Sequence, residues 1–248
     1  MSIRTVILAD LPTLYWPLAD PTGPAASDAS GNGHPGVYSG TFNLAQPGPE
    51  VGTFAALFSE GALVFSVAGT PVRLRPFSME CWLGPQLIEP AQNNILYNGN
   101  GNINGVGVLL AAGTTLVQPI QVLIGGNAVG AAVGSVQVGA YHHIVLTTDV
   151  TQLTNMYIDG INVYLNQNTG PMNPIAAADK FQVGANKVGQ SRYVAHAALY
   201  NFILSPAQVL AHFNSNVTPQ GPQPIGGVTG IDISAILRYV SRLYQNAP

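Results

Sequence analysis

Residues Tyr141–Leu165 read "YHHIVLTTDVTQLTNMYIDGINVYL". Two short runs rich in β-branched and aromatic residues, "HHIVLTTD" and "TNMYIDG", sit side by side. The second ends in Asp159-Gly160, a pair that tolerates the positive φ of a tight hairpin turn. The following "INVYL" then returns antiparallel, so the stretch predicts a three-stranded meander. The same texture extends outward in both directions, short strand-like runs alternating with Gly, Asn and Pro clusters up to about residue 204. Strands are predicted over Ala62–Ser66, Phe77–Leu83, Gly105–Ala111, Gln118–Ile124, Ser135–Val138, His142–Asp149, Asn155–Ile158, Lys180–Val183 and Ala195–Ile203. That pattern is all-β and fits a sandwich.

Composition narrows the function classes. The chain has 248 residues with 28 glycines and 19 prolines, and only 8% of its residues are charged, against about 25% in an ordinary soluble domain. Its net charge is −3, and its eight Lys and Arg are spread along the chain. No basic stripe exists to neutralise a run of phosphates, which excludes nucleic acid as a partner. The 59 residues from Pro90 to Thr148 contain no Asp, Glu, Lys or Arg. A membrane span is nevertheless not expected, since it needs about 20 largely apolar residues and Gln118, Pro119, Gln121, Asn127 and Gln137 interrupt every candidate.

The two ends read differently from the middle. The opening "MSIRTVILADLPTLYW" holds a short apolar run stopped by Asp10 and Pro12, too short for an export signal. The single cysteine, Cys81, permits no intrachain disulfide and reads as a small buried strand residue, as suits synthesis in a reducing compartment. After Leu204, "SPAQVLAHFN" predicts a short closing helix with Ser205 as its N-cap and Pro206 in its first turn. Residues 216–231 hold a Pro/Gly linker. Beyond it, "DISAILRYVSRLYQ" places Ile233, Ile236, Leu237, Val240, Leu243 and Tyr244 at helical spacing. The expected organisation is therefore a sandwich over 1–215, the linker, and an amphipathic helix within 232–248 for docking or oligomerisation. A helix this short is marginal alone in water, so its stripe needs a surface, either the chain's own sandwich or another subunit.

Three segments together carry a resemblance. The opening from Thr5 to Pro49 includes "LYWPL" and "DASGNG"; "FSMECWLGP" (Phe77–Pro85) has a Glu two residues before Trp; and the chain from "YHHIVLTTD" through "MYIDGINVY" to "AALYNFILSPAQVLAHF" keeps a fixed order of strands and closing helix. In that order they resemble the concanavalin A-like, laminin-G-like superfamily, especially the form found in bacteriophage and actinobacterial surface proteins. The likeness covers about residues 5–214, with Tyr141 standing where the family often has Trp. It implies a two-sheet antiparallel jelly-roll sandwich whose members bind sugars, bind proteins or serve as building blocks, and only sometimes catalyse.

Candidate chemistry is sparse. Retaining glucanases of this superfamily place several acids on alternating positions of one strand, because acid and nucleophile must face one sugar about 5 Å apart. Glu80 has no acidic residue at 78 or 82, so it reads as structural and the chain as non-enzymatic. His142 and His143 are neighbours on a strand and point to opposite faces, so they cannot share a metal. His34, His196 and His212 show no ligand spacing, and no metal centre is expected. Asp20, Asp28 and Asp159 lie in turns that could offer oxygens to calcium, although turn formation explains them more simply. No cofactor is expected. For a glycan, the Asn-rich stretch Gln92–Gly105 reads as a connection offering Asn94, Tyr97, Asn98 and Asn100 as amides and an aromatic platform. The expected function is a non-enzymatic bacteriophage virion protein, in capsid decoration or tail, assembled in the host cytoplasm beside other virion proteins or copies of itself. The alternative is an adhesin for host cell-surface polysaccharide.

Overall fold

The computed structural model describes residues 1–67, 76–100, 104–125, 127–168, 179–185, 187 and 189–215. The linker 216–231 and the segment 232–248, with Ile233, Ile236, Leu237, Val240, Leu243 and Tyr244, lie outside the described residues. In chain order the elements are α1 (Ile3–Ala9), β1 (Leu14–Trp16), β2 (Ala25–Ala26), β3 (Gly36–Pro47), β4 (Phe54–Ser66), β5 (Phe77–Pro85), β6 (Asn93–Asn100) and β7 (Asn104–Leu110). There follow β8 (Val117–Ile124), β9 (Asn127–Gln137), β10 (His142–Thr148), β11 (Leu153–Ile158), β12 (Ile161–Asn168), β13 (Lys180–Gly184), β14 (Ser191–Tyr200) and α2 (Pro206–Phe213).

The predicted meander is present as β10, β11 and β12, each antiparallel to the next. At its turn Asp159 and Gly160 take φ of 52° and 78°, the left-handed conformation that Asp-Gly tolerates. Among the described residues all pairings are antiparallel, and the class is all-β, as the sequence predicts. The expected division into two separate sheets is not what the hydrogen bonds draw. They link the strands in one network, β12-β11-β10-β5-β14-β4-β13-β6-β7-β8-β9, with β1 on β14, β2 on β3 and β3 on β4. The cause lies in β4, which belongs to both halves: its residues 56–59 pair with β14 and its residues 63–65 with β13. Between these stretches Glu60 and Gly61 take φ of 50° and 87°, which redirects the strand, and its pairing with β3 shifts register there, from Thr41 opposite Ser59 to Ser39 opposite Leu63.

Strand β5 runs between β10 and β14 and is buried along its whole length. Its side chains alternate, as a pleated strand requires. Phe77, Met79, Cys81 and Leu83 enter the main core with Trp16, Phe58, Ile144, Leu146 and Phe181. Trp82 faces the other way, into a second cluster with Tyr15, Val145, Tyr200, Val209, Ile3 and Ile7. Helices α1 and α2 cover that second face. Ser205 caps α2 reciprocally with Gln208, and Ser2 caps α1 by accepting from the Thr5 amide. Among the described residues no helix is long and apolar enough to cross a membrane.

Candidate functional site

Among the described residues, the face of β5 turned toward the helices gathers a carboxylate, two histidines and a tyrosine. Glu80 is opposite Ala198 on β14 and Val145 on β10, and His143 is opposite Trp82. Strand alternation therefore brings Glu80, Trp82 and His143 to one side of the sheet. The His143 ring stacks on Trp82 with centroids 5.2 Å apart, and Trp82 in turn stacks on Phe213 of α2. Glu80 Oε2 accepts from His143 Nε2 at 2.7 Å and from His212 Nδ1 at 3.0 Å. Its other oxygen, Oε1, accepts from the Tyr200 hydroxyl. His212 Nε2 donates to Asp10 Oδ2 at 2.9 Å, and Asp10 is the C-cap of α1. One carboxylate thus joins three strands and, through His212, both helices.

Protonation follows from these partners. His212 lies between two carboxylates, which only accept, so both of its nitrogens carry hydrogen and the ring is an imidazolium. Burial opposes that charge, but Glu80 and Asp10 outweigh it and raise the pKa to about 9. For Glu80, burial favours the neutral acid, yet the His212 charge and the two histidine hydrogen bonds hold its carboxyl well below the usual carboxylate range. Nearby, Tyr15 Oη is 2.6 Å from His196 Nδ1. Burial lowers the His196 pKa to about 3, so this ring is neutral and the tyrosine donates to it. His196 takes φ of 53° at the register shift of β14, a costly conformation for a non-glycine residue.

Glu80 has no acidic neighbour on its own strand, and its partners come instead from 63, 120 and 132 residues away, distances at which no motif is visible. His143 and His212, which show no ligand spacing in sequence, converge on one oxygen. The opposite facing of His142 and His143 is as the strand period predicts. His142 turns away to Asp159 at 2.7 Å, with Nε2 accepting from the Gln137 amide.

Glu80, His143 and His212 bring their ligand-type atoms within 4.8 Å of one another, which raises the question of a metal. A tetrahedral ion about 2.0–2.1 Å from each ligand would hold them roughly 3.3 Å apart. Here both nitrogens are instead at hydrogen-bond distance from one oxygen, so protons already do what the ion would do. General acid–base chemistry on a substrate is no better served, because Glu80 and His143 are fully enclosed. The contacts of the cluster link β5 to β10 and β14 and, through His212, to both helices.

The turn aspartates are engaged by the chain itself. Asp28 accepts from the amides of Tyr15, Ser30 and His34, Asp20 from Ser27 and the Tyr38 hydroxyl, and Asp159 from His142 and the His143 amide. Among the described residues they form no common ligand set. The Asn-rich stretch is not a surface connection: most of it is β6 and β7, paired with each other, and β6 also pairs with β13. Tyr97 is fully buried, packs on Leu109 and Leu123, and donates to the Asn104 carbonyl at 2.9 Å. It therefore offers no open ring face to a sugar. Asn98 is fully buried as well, whereas Asn94 and Asn100 reach the surface in part. Asn94 borders a shallow depression lined with Leu63, Ile95, Gln182, Val183 and Gly184.

Solved structures with this fold include domain 4 of the GH43 extracellular arabinanase AbnA from Geobacillus stearothermophilus, in complex with arabinotriose. It is 16% identical, with a TM-score of 0.63 over 82% of this chain and 98% of that one. A botulinum neurotoxin type C structure, from work on its interaction with two ganglioside molecules, is 13% identical with a TM-score of 0.61, over 85% of this chain and 52% of that one. Trypanosoma rangeli sialidase is 14% identical with a TM-score of 0.60, over 81% and 32%. The chain thus spans about half of the neurotoxin chain and a third of the sialidase. At these identities the likeness is one of fold. No curated protein matches the chain by sequence. A laminin-G-type family model matches residues 60–210, from the bend of β4 to the middle of α2, and by that match the chain belongs to the concanavalin A-like lectin/glucanases superfamily.

Proposed function

We propose that this chain is a non-enzymatic lectin-like module displayed on a particle, a bacteriophage virion, as a capsid-decoration or tail component, with its connected strands folded over as a two-layer jelly roll. The observation that carries this is the surface. Charge is scarce in the whole chain, and Glu50, Glu80, Glu89 and Arg192 are buried inside it. Leu11, Val51, Leu116, Val117, Val150 and Leu165 meanwhile stand more than half exposed. A surface so poor in charge and dotted with large apolar residues suits a protein that works packed among neighbours. The non-enzymatic reading rests on Glu80, whose oxygens are taken by His143, His212 and Tyr200 rather than presented to a cleft. Sedimentation of a lysate from the native source through a density gradient, followed by peptide mass spectrometry, tests the particle role. The protein should co-migrate with nucleic-acid-containing particles; recovery only in soluble fractions would discard the role.

The second reading is a glycan-binding adhesin. It is favoured by the similar structures, among them the arabinotriose complex and the ganglioside-linked neurotoxin. Of the four candidate residues Tyr97 and Asn98 are closed off, and Asn94 and Asn100 reach the surface in part. Saturable binding to host cell-wall polysaccharide that weakens in Asn94→Ala and Asn100→Ala would establish this reading. Absence of binding to any polysaccharide of the host surface would remove it.

A further inference from the structure

Helix α2 turns an uncharged face to solvent. Val209 and His212 are buried beneath it, whereas Ala207, Leu210 and Ala211 are exposed, Leu210 to 47%. Leu210 lies over the β11–β12 turn: a Cβ built on Gly160 would fall 3.0 Å from Leu210 Cδ1. The next residue, Ile161, is 68% exposed. Leu210 and Ile161 thus make an apolar ledge, and the two alanines one turn apart let another helix approach α2 closely.

The chain continues from beside this ledge. Ser215 is two residues past the end of α2, and 33 residues follow it. Residues 216–231 span at most about 55 Å fully extended, and as a Pro/Gly-rich coil about 20–25 Å. Helix α2 is about 12 Å long. The segment Asp232–Gln245 therefore begins within reach of the outer face of α2. Its apolar residues Ile233, Ile236, Leu237, Val240, Leu243 and Tyr244 fall in an arc of about 120° when wound as a helix, with Arg238 and Arg242 on the opposite side. Such a helix needs an apolar surface to form, and the tether supplies one at an effective concentration in the millimolar range. A second copy of the chain in dilute solution does not match that.

We propose that Asp232–Gln245 docks as a helix on the outer face of α2 in its own chain, covering Leu210 and Ile161. The inference does not depend on the display role, and its test is separate. Cys81, the one cysteine of the chain, is buried, so cysteines can be introduced in pairs. The full-length Leu210→Cys/Val240→Cys protein, oxidised at micromolar concentration, should give an intramolecular disulfide at a rate independent of protein concentration, read as monomer on a non-reducing gel and as a linked peptide by mass spectrometry. Leu210→Cys/Ala235→Cys, with the second cysteine on the opposite side of the segment, should cross-link at least tenfold more slowly. Disulfide-linked dimer as the main product, no cross-link, or equal rates for the two pairs would each overturn the docking.

Discussion

His212 sits where a single proton decides how tightly the helices hold to the sheet. Its folded pKa of about 9 lies above the ordinary 6.5, so the folded state keeps a proton that the unfolded chain releases between these values. The stability this adds is fully present below about pH 6.5 and is lost as pH rises through 9. At 1.36 kcal/mol per unit the loss is about 3 kcal/mol. Urea unfolding should show the midpoint falling across that window, and His212→Gln should flatten the dependence; a wild-type midpoint constant from pH 6.5 to 9 would contradict the assignment. Glu80 runs in the opposite sense, because its depressed pKa makes its contribution present at neutral pH and lost in acid. Glu80→Gln leaves an imidazolium with one carboxylate partner in place of two. It should cost about 3–5 kcal/mol in a denaturant titration, and a change below 1 kcal/mol would show that the cluster is not a joint. None of this was legible in the sequence beyond the presence of a lone acid on a strand, since its partners are brought together only by the sheet register and by α2.

At the scale of elements, what the sequence revealed depended on how local the causes were. Helix α2 was readable because Ser205 and Pro206 mark its start and its apolar residues recur at helical spacing. The meander was readable from Asp159-Gly160. Helix α1 was not: Ile3, Thr5, Val6 and Ile7 are β-branched and stiff at χ1, so "IRTVILA" reads as a plain apolar run. It winds because Ile3 and Ile7, one turn apart, bury together in the second core cluster, and because Glu50 Oε1 accepts from the Ile3 amide at 2.8 Å. Strand β6 was hidden for the converse reason. Asn and Gly tolerate turn conformations, but ladders to β7 and β13 on its two sides hold the segment extended. The capping box of α2 gives a direct check. Ser205→Ala removes the oxygen that accepts from the Gln208 amide and should cost about 1 kcal/mol. Amide exchange should quicken in α2 and stay unchanged in β5 and β10; unchanged protection in α2 would mean that the cap contributes nothing there.

For the molecule as a whole, the all-β class and the family were readable because turn residues and strand-like runs recur along most of the chain. The continuity of its strands was not, because it depends on the bend at Glu60 and Gly61, a conformation no pattern of apolar residues encodes. The same holds for the site: Tyr97 and Asn98 have the right chemistry for a sugar, and it is their place in a doubly paired strand that closes them off. What remains on the outside is a surface with little charge and many single apolar residues, suited to neighbours. The display role is tested most directly by labelling intact particles from the native source with gold-conjugated antibody raised against residues 1–215 and viewing them by electron microscopy. Gold at regular positions on the particle exterior is the predicted result; particles that carry no label, while the same antibody detects the protein free in the lysate, would contradict it.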